Sequence, residues 1–227
     1  ARGGHAALGA LGDSRNSPFG YFVHAHGLPI APWVMAASSA AAVAYYGNID
    51  PARPMHTLPL IGVIPPRPED VFSPTENNLL LWDGVSTWYV DAGGVVRLQR
   101  VISTYKVNSA GAADEAWLDI TTLLTLGYLR WDWNNYNLRK YPRHKLGDDS
   151  KVYAAGQAIV TPMLMKGEAL AWFRRMEAKA LVEDFEQFKA ELIVERDSDN
   201  KTRLNVYMPP NIVNGLQMLA TQIGFRL

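Results

Sequence analysis

The chain has 227 residues, of which 48% are hydrophobic and 19% are charged, and this is the composition of a soluble globular protein. Its 22 basic residues balance 22 acidic residues, so no bulk charge favours binding to nucleic acid or to an anionic membrane. The absence of cysteine excludes disulfides and cysteine-ligated zinc, and no apolar run reaches the ~18 residues that span a bilayer.

Residues 1–16 are predicted to be a flexible loop, because they are rich in glycine and alanine and lack the core of a signal peptide. The sequence starts without methionine, which suggests a piece of a longer chain. An aromatic and β-branched run at 19–25 predicts a strand. Pro32 then opens a helix that ends near Tyr46, since proline suits the first helical turn.

Prolines are frequent in residues 48–74, which are predicted to be extended with one short strand near 60–64. Ser73 and Pro74 are typical of a helix start, and they predict a helix over 75–82. A hairpin turning at 91–94 should follow, with a β-bulge in its second arm.

Two long helices are predicted next. The first spans about 117–140, where apolar side chains recur at spacings of three and four. The bulge of the preceding hairpin is placed near Arg100, because the side-chain parity of that arm changes there. Thr161 can cap the second helix, which reaches about residue 181.

The last part of the chain is predicted to be rich in strands. Residues 192–195 and 203–208 flank a turn, and a further apolar strand runs from 219 to 227. The side chains that share one parity in that strand are Leu219, Ile223, Phe225 and Leu227. An apolar strand at an edge must be covered by its own domain or paired with another chain. The predicted fold class is therefore mixed α/β, a mixed β-sheet packed by helices, forming one domain over 17–227.

No group of residues predicts catalysis, and no catalytic, cofactor-binding or metal-binding residue is assigned. His24 and His26 share one face of the predicted strand and could bind a metal with a third ligand, but none is identifiable, and half-buried or surface histidines are the preferred interpretation. Gly93 and Gly94 fit a hairpin turn better than a nucleotide loop. The carboxylates near Glu183 fit a solvated face better than a glycosidase pair.

Several short segments together resemble the Mu-like phage tail sheath proteins, in their C-terminal part. The strongest is KYPRHKL at 140–146. The others lie at 12–18, 44–46, 49–54, 57–60, 78–84, 90–97, 182–186 and 222–227.

This resemblance implies a structural subunit and not an enzyme. Such subunits form six-fold rings that stack helically around a tail tube and contract, on a signal from the baseplate, to drive the tube through the host envelope. The implied partners are other sheath subunits, the tail tube protein, and baseplate and tail terminator proteins, with no nucleic acid and no membrane insertion. The implied location is the virion tail, assembled in the host cytoplasm.

Two groups of site residues follow from the resemblance. Chain-terminal strands of the family pair with sheets of neighbouring subunits, so residues 190–227 are expected to link subunits through Leu219, Ile223, Phe225 and Leu227. Basic side chains at the ends of the two long helices form the second group, a hypothetical contact with the tube. They are Arg139, Lys140, Arg143, Lys145, Lys166, Arg174 and Lys179.

Three alternatives remain open at the level of the sequence. The first is the sheath of a tailocin or a related contractile injection machine. The second is a cytosolic α/β hydrolase. The third is a sugar-binding module that uses Trp88, Trp131 or Trp133.

Overall fold

A computed structural model describes residues 1–224. The chain divides into two compact units, residues 1–124 together with the segment from 215 onward, and residues 125–214. This differs from the single domain predicted over 17–227. The sequence gives no sign of the boundary, because it falls inside a helix and not in a linker.

The chain forms six α-helices and nine short strands within the described residues. The helices are α1 His5–Asp13, α2 Pro32–Ile49, α3 Pro74–Trp82, α4 Ile120–Lys140, α5 Pro162–Ala178 and α6 Phe185–Glu191. The strands are β1 Phe22–Val23, β2 Val85–Val90, β3 Val96–Arg100, β4 Lys145–Leu146, β5 Ile159–Val160, β6 Val182–Glu183, β7 Ile193–Arg196, β8 Leu204–Tyr207 and β9 Asn211–Ile212. The mixed α/β class is confirmed. No helix within residues 1–224 is both long and apolar enough to cross a membrane.

The first unit is built on a three-stranded sheet in the order β1-β2-β3. β1 runs parallel to β2, and β2 and β3 form the predicted hairpin. Thr87 pairs with Arg100 while Trp88 pairs with Leu98, which leaves Gln99 as an extra residue on β3. The bulge therefore lies one residue from its predicted position.

The predicted strand near 60–64 is wrong. The hydrogen bonds to the outer edge of β3 come instead from residues 57–60, since the Thr57 amide donates to the Leu98 carbonyl at 2.8 Å and the Leu60 amide to the Val96 carbonyl at 2.9 Å. Gly62 has a positive φ of 78°, which breaks the extended path, and Pro65 and Pro66 follow, which cannot donate to a strand ladder.

The flexible loop predicted for residues 1–16 is also wrong, because α1 occupies most of it. Leu8 is fully buried and packs with Leu80 and Val85. The glycines that indicate a loop serve instead for close packing: a Cβ atom at Gly12 would lie 2.1 Å from the carbonyl oxygen of Asp83.

The predicted helix starts are confirmed in α3 and α5. Ser73 and Glu76 form a capping box, in which each side chain satisfies the other's backbone amide. Thr161 accepts a hydrogen bond from the Leu164 amide at 3.3 Å. α4 begins at Ile120, three residues later than predicted, because Asp119 pairs with Arg100 at 3.2 Å and holds the preceding turn on the sheet.

The second unit contains three two-stranded sheets, β4–β5, β6–β9 and β7–β8. Its buried side chains come largely from one face of α5. Phe173 of α5 stacks on Phe188 of α6 with ring centroids 4.2 Å apart. Trp172 is also buried, and its indole donates to Asp132 of α4 at 2.8 Å. These contacts fix α4, α5 and α6 within the unit.

Candidate interaction surfaces

The basic residues predicted to contact a tube lie at the end of α4 and along α5, but they differ in their surroundings. Lys140 is held internally, since its ammonium contacts both carboxylate oxygens of Glu168 at 2.8 and 2.7 Å. The Tyr136 hydroxyl also donates to Glu168. Lys140 is therefore part of a polar network that joins α4 to α5.

The same network shifts the pKa values of its members. Burial alone would raise the pKa of Glu168, but hydrogen bonds from Lys140 and Tyr136 outweigh it and lower the pKa. The pKa of Lys140 is raised, chiefly by its hydrogen bond to Glu168. Burial, followed by the hydrogen bond to Glu168, raises the pKa of Tyr141 to about 12. At neutral pH the pair is ionised.

Replacing Glu168 with glutamine should lower the free energy of unfolding by about 1–2 kcal/mol at pH 7, because charge-assisted hydrogen bonds are lost. A carboxylate with a lowered pKa stabilises the fold above its unfolded pKa of about 4.3, and this stabilisation is lost as the pH falls through the folded pKa. The difference between E168Q and the parent should therefore shrink below about pH 4. Urea unfolding measured across pH 3–8 tests this.

The control for this measurement is Glu186→Gln. Glu186 contacts Lys189 at 3.7 Å with its side chain 80% exposed, so its loss should be nearly neutral at every pH. A pH-independent loss of stability in E168Q would contradict the ion-pair interpretation.

Three further members of the predicted basic set also have internal partners. Arg174 pairs with Glu177 at 2.7 Å and stacks on the ring of Phe185. Lys179 donates to the Tyr128 hydroxyl at 2.6 Å, and Lys145 donates to Gln157 at 3.1 Å.

The remaining basic residues of the predicted set are more accessible to a binding partner. Arg139, Arg143 and Lys166 are exposed and form no salt bridge with any carboxylate of residues 1–224. Arg143 has a left-handed backbone with φ of 54°, which turns the chain sharply after α4. These three side chains are the members of the set that a partner could reach without breaking an internal ion pair.

A groove of about 570 Å³ lies between the end of α4 and strand β8. Most of its walls are apolar, and the Oδ1 atom of Asn137 is buried without a hydrogen-bond partner. Its lining includes Trp133, Leu138, Tyr141, Pro142, Arg143, Met165, Leu204 and Val206. β8 lies within the strand predicted at 203–208, but the groove itself depends on tertiary contacts that the sequence does not show.

The β7–β8 hairpin leaves both of its outer edges unpaired within the described residues. The Asp197 amide donates to the Arg203 carbonyl at 3.1 Å, so positions 197 and 203 are a hydrogen-bonded pair. Because such pairs alternate in antiparallel ladders, the pair Val194–Val206 directs its amide and carbonyl groups outward. β8 therefore offers an outward N–H at Val206 beside the apolar groove.

The last predicted strand does not form in the described part of the chain. Residues 213–224 have no regular structure, and Leu219 and Ile223 are 79% and 91% exposed. A strand needs a neighbouring strand for its backbone hydrogen bonds, and within residues 1–224 no strand pairs with this segment. Of the strand predicted over 219–227, the part up to residue 224 does not form in the isolated chain, and Phe225 and Leu227 lie outside the described residues.

The histidines considered as metal ligands are packing residues. His24 is buried and stacks on Trp88 at 4.9 Å, and burial lowers the pKa of His24 to about 3. His26 stacks on Phe72 at 4.1 Å and contacts the Gly3 carbonyl at 2.9 Å. Residues 1–224 hold no cluster of three potential metal ligands.

The tryptophans considered for sugar binding differ in how accessible the fold leaves them. Trp88 is buried, so it cannot present a platform to a sugar. Trp133 is half-buried against Trp172, with ring centroids 5.5 Å apart, whereas Trp131 is 61% exposed. Of these two residues, Trp131 is therefore the more accessible one.

Comparison with known protein families finds two matches that together span most of the chain. The family model of the phage tail sheath protein central domain matches residues 3–104, and that of the phage tail sheath C-terminal domain matches residues 112–226. The chain is 41% identical over 226 residues to the Mu-like prophage FluMu tail sheath protein of Haemophilus influenzae. That match covers 100% of this chain and 46% of the relative, so the chain spans about half the relative's length.

Two solved structures share the fold at 10% sequence identity. A sheath tail protein from Desulfitobacterium hafniense gives a TM-score of 0.51, covering 73% of this chain and 35% of that one. A chain of the anti-feeding prophage baseplate gives a TM-score of 0.57, covering 98% of this chain and 65% of that one. With both sheath family models matched in order along its sequence, the chain belongs to the phage tail sheath protein family.

Proposed function

We propose that this chain is part of a structural subunit that assembles into stacked six-fold rings around a tail tube and contracts to drive the tube through a host envelope. The observation that carries the proposal is the ordered match to both sheath domain models. The subunit has a mechanical and not a catalytic role. Its partners are other sheath subunits, the tube, and baseplate and terminator proteins, and assembly takes place in the host cytoplasm before the sheath joins the virion tail.

Negative-stain electron microscopy of the sheath protein that carries this sequence, concentrated at moderate salt with and without its tail tube, tests the proposal. Tubes of stacked six-fold rings are the expected result. A protein that stays monomeric under all these conditions would overturn it. A sheath of a related contractile injection particle is the second candidate, favoured by the fold shared with the anti-feeding prophage chain. Neighbouring genes distinguish the two.

Neighbouring subunits are linked, in this proposal, by strand addition. The segment 219–227 of one copy pairs with the outer edge of β8 in the next copy, and its apolar side chains enter the groove beside Val206. Two observations support this: the segment is apolar and exposed through residue 224, and the edge of β8 carries unpaired backbone groups. Backbone hydrogen bonds across such a joint tolerate rigid-body motion, while alternate side chains fix the register.

Contact with the tube is assigned to Arg139, Arg143 and Lys166 in preference to the internally paired members of the predicted set. Reversing the three charges to glutamate should weaken tube binding by about tenfold or more, because three modest contributions are lost together. It should also reduce the salt dependence of tube binding, because exposed charges are screened by salt. Co-sedimentation of the sheath protein with tubes at several salt concentrations provides the measurement.

The matched control reverses three exposed basic residues elsewhere, Arg15, Arg53 and Lys201. Unchanged tube binding after reversal of Arg139, Arg143 and Lys166 would remove the assignment, and an equal loss in the control would reduce it to a general charge effect.

A further inference from the structure

Three histidine side chains from different parts of the first unit surround one phenyl ring. The ring centroid of Phe72 lies 4.1 Å from that of His26 and 5.2 Å from that of His24. The ring centroid of His5 lies 5.6 Å away. His5 belongs to α1, the other two histidines follow β1, and Phe72 precedes α3. These four residues, the histidine cluster, therefore join three parts of the unit in one contact.

Two of the three imidazoles have hydrogen bonds that suit either protonation state. The Nε2 atom of His5 lies 3.0 Å from the Glu76 carbonyl oxygen, and the Nδ1 atom of His26 lies 2.9 Å from the Gly3 carbonyl oxygen. A carbonyl oxygen only accepts, so each of these ring nitrogens carries a hydrogen and donates it. A protonated imidazole keeps the same bond, because both of its nitrogens are donors.

His24 has no such arrangement. Its side chain is 1% exposed and packs between Phe72 and Trp88, whose ring centroid is 4.9 Å away. Neither of its ring nitrogens forms a hydrogen bond of normal geometry within residues 1–224. A proton on this ring would create a buried charge without an acceptor, which is strongly unfavourable.

The positive groups around His24 oppose its protonation further. Those that act on it are His26, His5 and the amino group of Ala1, and each of them repels a charge on the His24 ring. The guanidinium of Arg2 is nearby in sequence, but it is occupied by the Leu28 carbonyl at 2.7 Å. β2, which carries Trp88, has no charged residue.

The acidic groups near the cluster are already engaged. Glu76 of α3 acts on His5 and His26, but its carboxylate accepts from the amide and the hydroxyl of Ser73, each at 2.8 Å. Asp70, two residues before Phe72, pairs with Arg67 at 2.9 Å. Among residues 1–224, no histidine forms a salt bridge with a carboxylate. No counter-charge therefore compensates a proton on His24.

We propose that His24 is an acid-sensitive switch of the first unit, which packs only as the neutral ring and on protonation opens the histidine cluster and releases α1 and β1. α1 is released because His5 packs on the same phenyl ring. β1 is released because the His24 carbonyl, which accepts from the Trp88 indole at 2.8 Å, moves with its side chain.

The direction of the pH dependence follows from the two states of His24. Burial is the chief cause that lowers the pKa of His24 in the folded chain, to about 3, and the Asn77 side chain acts in the opposite direction with a smaller effect. An imidazole in the unfolded chain has a pKa of about 6.5. The stabilisation is therefore complete above about pH 6.5, and it is lost progressively as the pH falls from there towards 3.

Urea unfolding of the chain at pH 7.5 and pH 5 tests the proposal. His24→Phe keeps an aromatic ring in the cluster but cannot take up a proton. Between the two pH values, the unfolding constant of the parent should rise about 30-fold more than that of H24F. His26→Phe is the matched control in the same cluster, and it should keep the rise of the parent. An H24F protein with the pH dependence of the parent would overturn the proposal, as would an H26F protein that loses it.

Hydrogen exchange of the parent localises the opening and needs no variant, so it decides the question even if H24F does not fold. After correction for the intrinsic pH dependence of amide exchange, protection of α1 and β1 should fall by about tenfold or more between pH 7.5 and pH 5. α5, which contains no histidine, is the internal reference and should keep its protection. Equal changes in α1 and α5, or none in α1, would overturn the proposal. Both measurements use the subunit alone, so their outcome does not depend on whether tubes form.

Discussion

Replacing Val206 with proline is expected to abolish assembly of the sheath protein into tubes while leaving the subunit folded. Proline removes the outward N–H of β8, which the proposed strand from the neighbouring copy requires, but position 206 is not a hydrogen-bonded position of the β7–β8 pair. Proline is tolerated on edge strands for the same reason. Electron microscopy for tubes and circular dichroism for the folded subunit provide the two measurements.

Two matched variants complete this test. Val206→Ala removes side-chain volume from the groove but keeps the N–H, so tubes should form less readily without being lost. Asn205→Pro lies at a hydrogen-bonded position of the hairpin and should destabilise the subunit itself. Normal tubes from V206P would exclude strand addition at this edge of β8 and direct attention to the outer edge of β7.

Local chemistry explains which parts of the fold were predictable. The hairpin turn was visible because Gly94 can take the positive φ of 76° that the turn requires. The start of α3 was visible because Ser73 can cap a helix and Pro74 suits its first turn. Such features depend on residues that are only a few positions apart, so they can be predicted from the sequence.

Features that depend on distant partners were missed. α1 resembles a loop in sequence because Gly9 and Gly12 are helix breakers in isolation, and only the proximity of Asp83 explains them. Lys140 resembles a free surface cation until Glu168 of α5 is placed beside it. The segment from 219 resembles a strand because its composition suits pairing, but pairing requires a partner strand that residues 1–224 do not supply.

The candidate interaction surfaces were likewise predictable only in part from the sequence. Basic residues near the end of α4 were recognisable from sequence, but which of them a partner can reach depends on internal ion pairs. Helix α2 carries a signal of its own, 18 residues without a charge. That signal indicates a buried helix, whereas the fold buries only the row of Met35, Ser39 and Val43.

Replacing Trp88 with alanine is expected to lower the free energy of unfolding by about 3–5 kcal/mol, as for other large buried aromatic residues. Trp88 lies at the centre of the first unit's core with 1% exposure. Its indole N–H donates to the His24 carbonyl at 2.8 Å, and its own carbonyl accepts from Asn77 at 3.2 Å. Alanine leaves both a cavity and a buried carbonyl without its donor. Urea unfolding followed by far-UV circular dichroism measures the change.

Trp82→Ala is the matched control, because Trp82 is 70% exposed and its loss should change stability by no more than about 0.5 kcal/mol. Trp88→Phe separates the two contributions at position 88: it keeps most of the ring volume but removes the N–H, so it should cost about 1–3 kcal/mol for the unsatisfied His24 carbonyl. Equal effects of W88A and W82A would contradict the placement of Trp88 in the core. A W88F variant as stable as the parent would show that the hydrogen bond from the Trp88 indole to the His24 carbonyl contributes little to the stability of the fold.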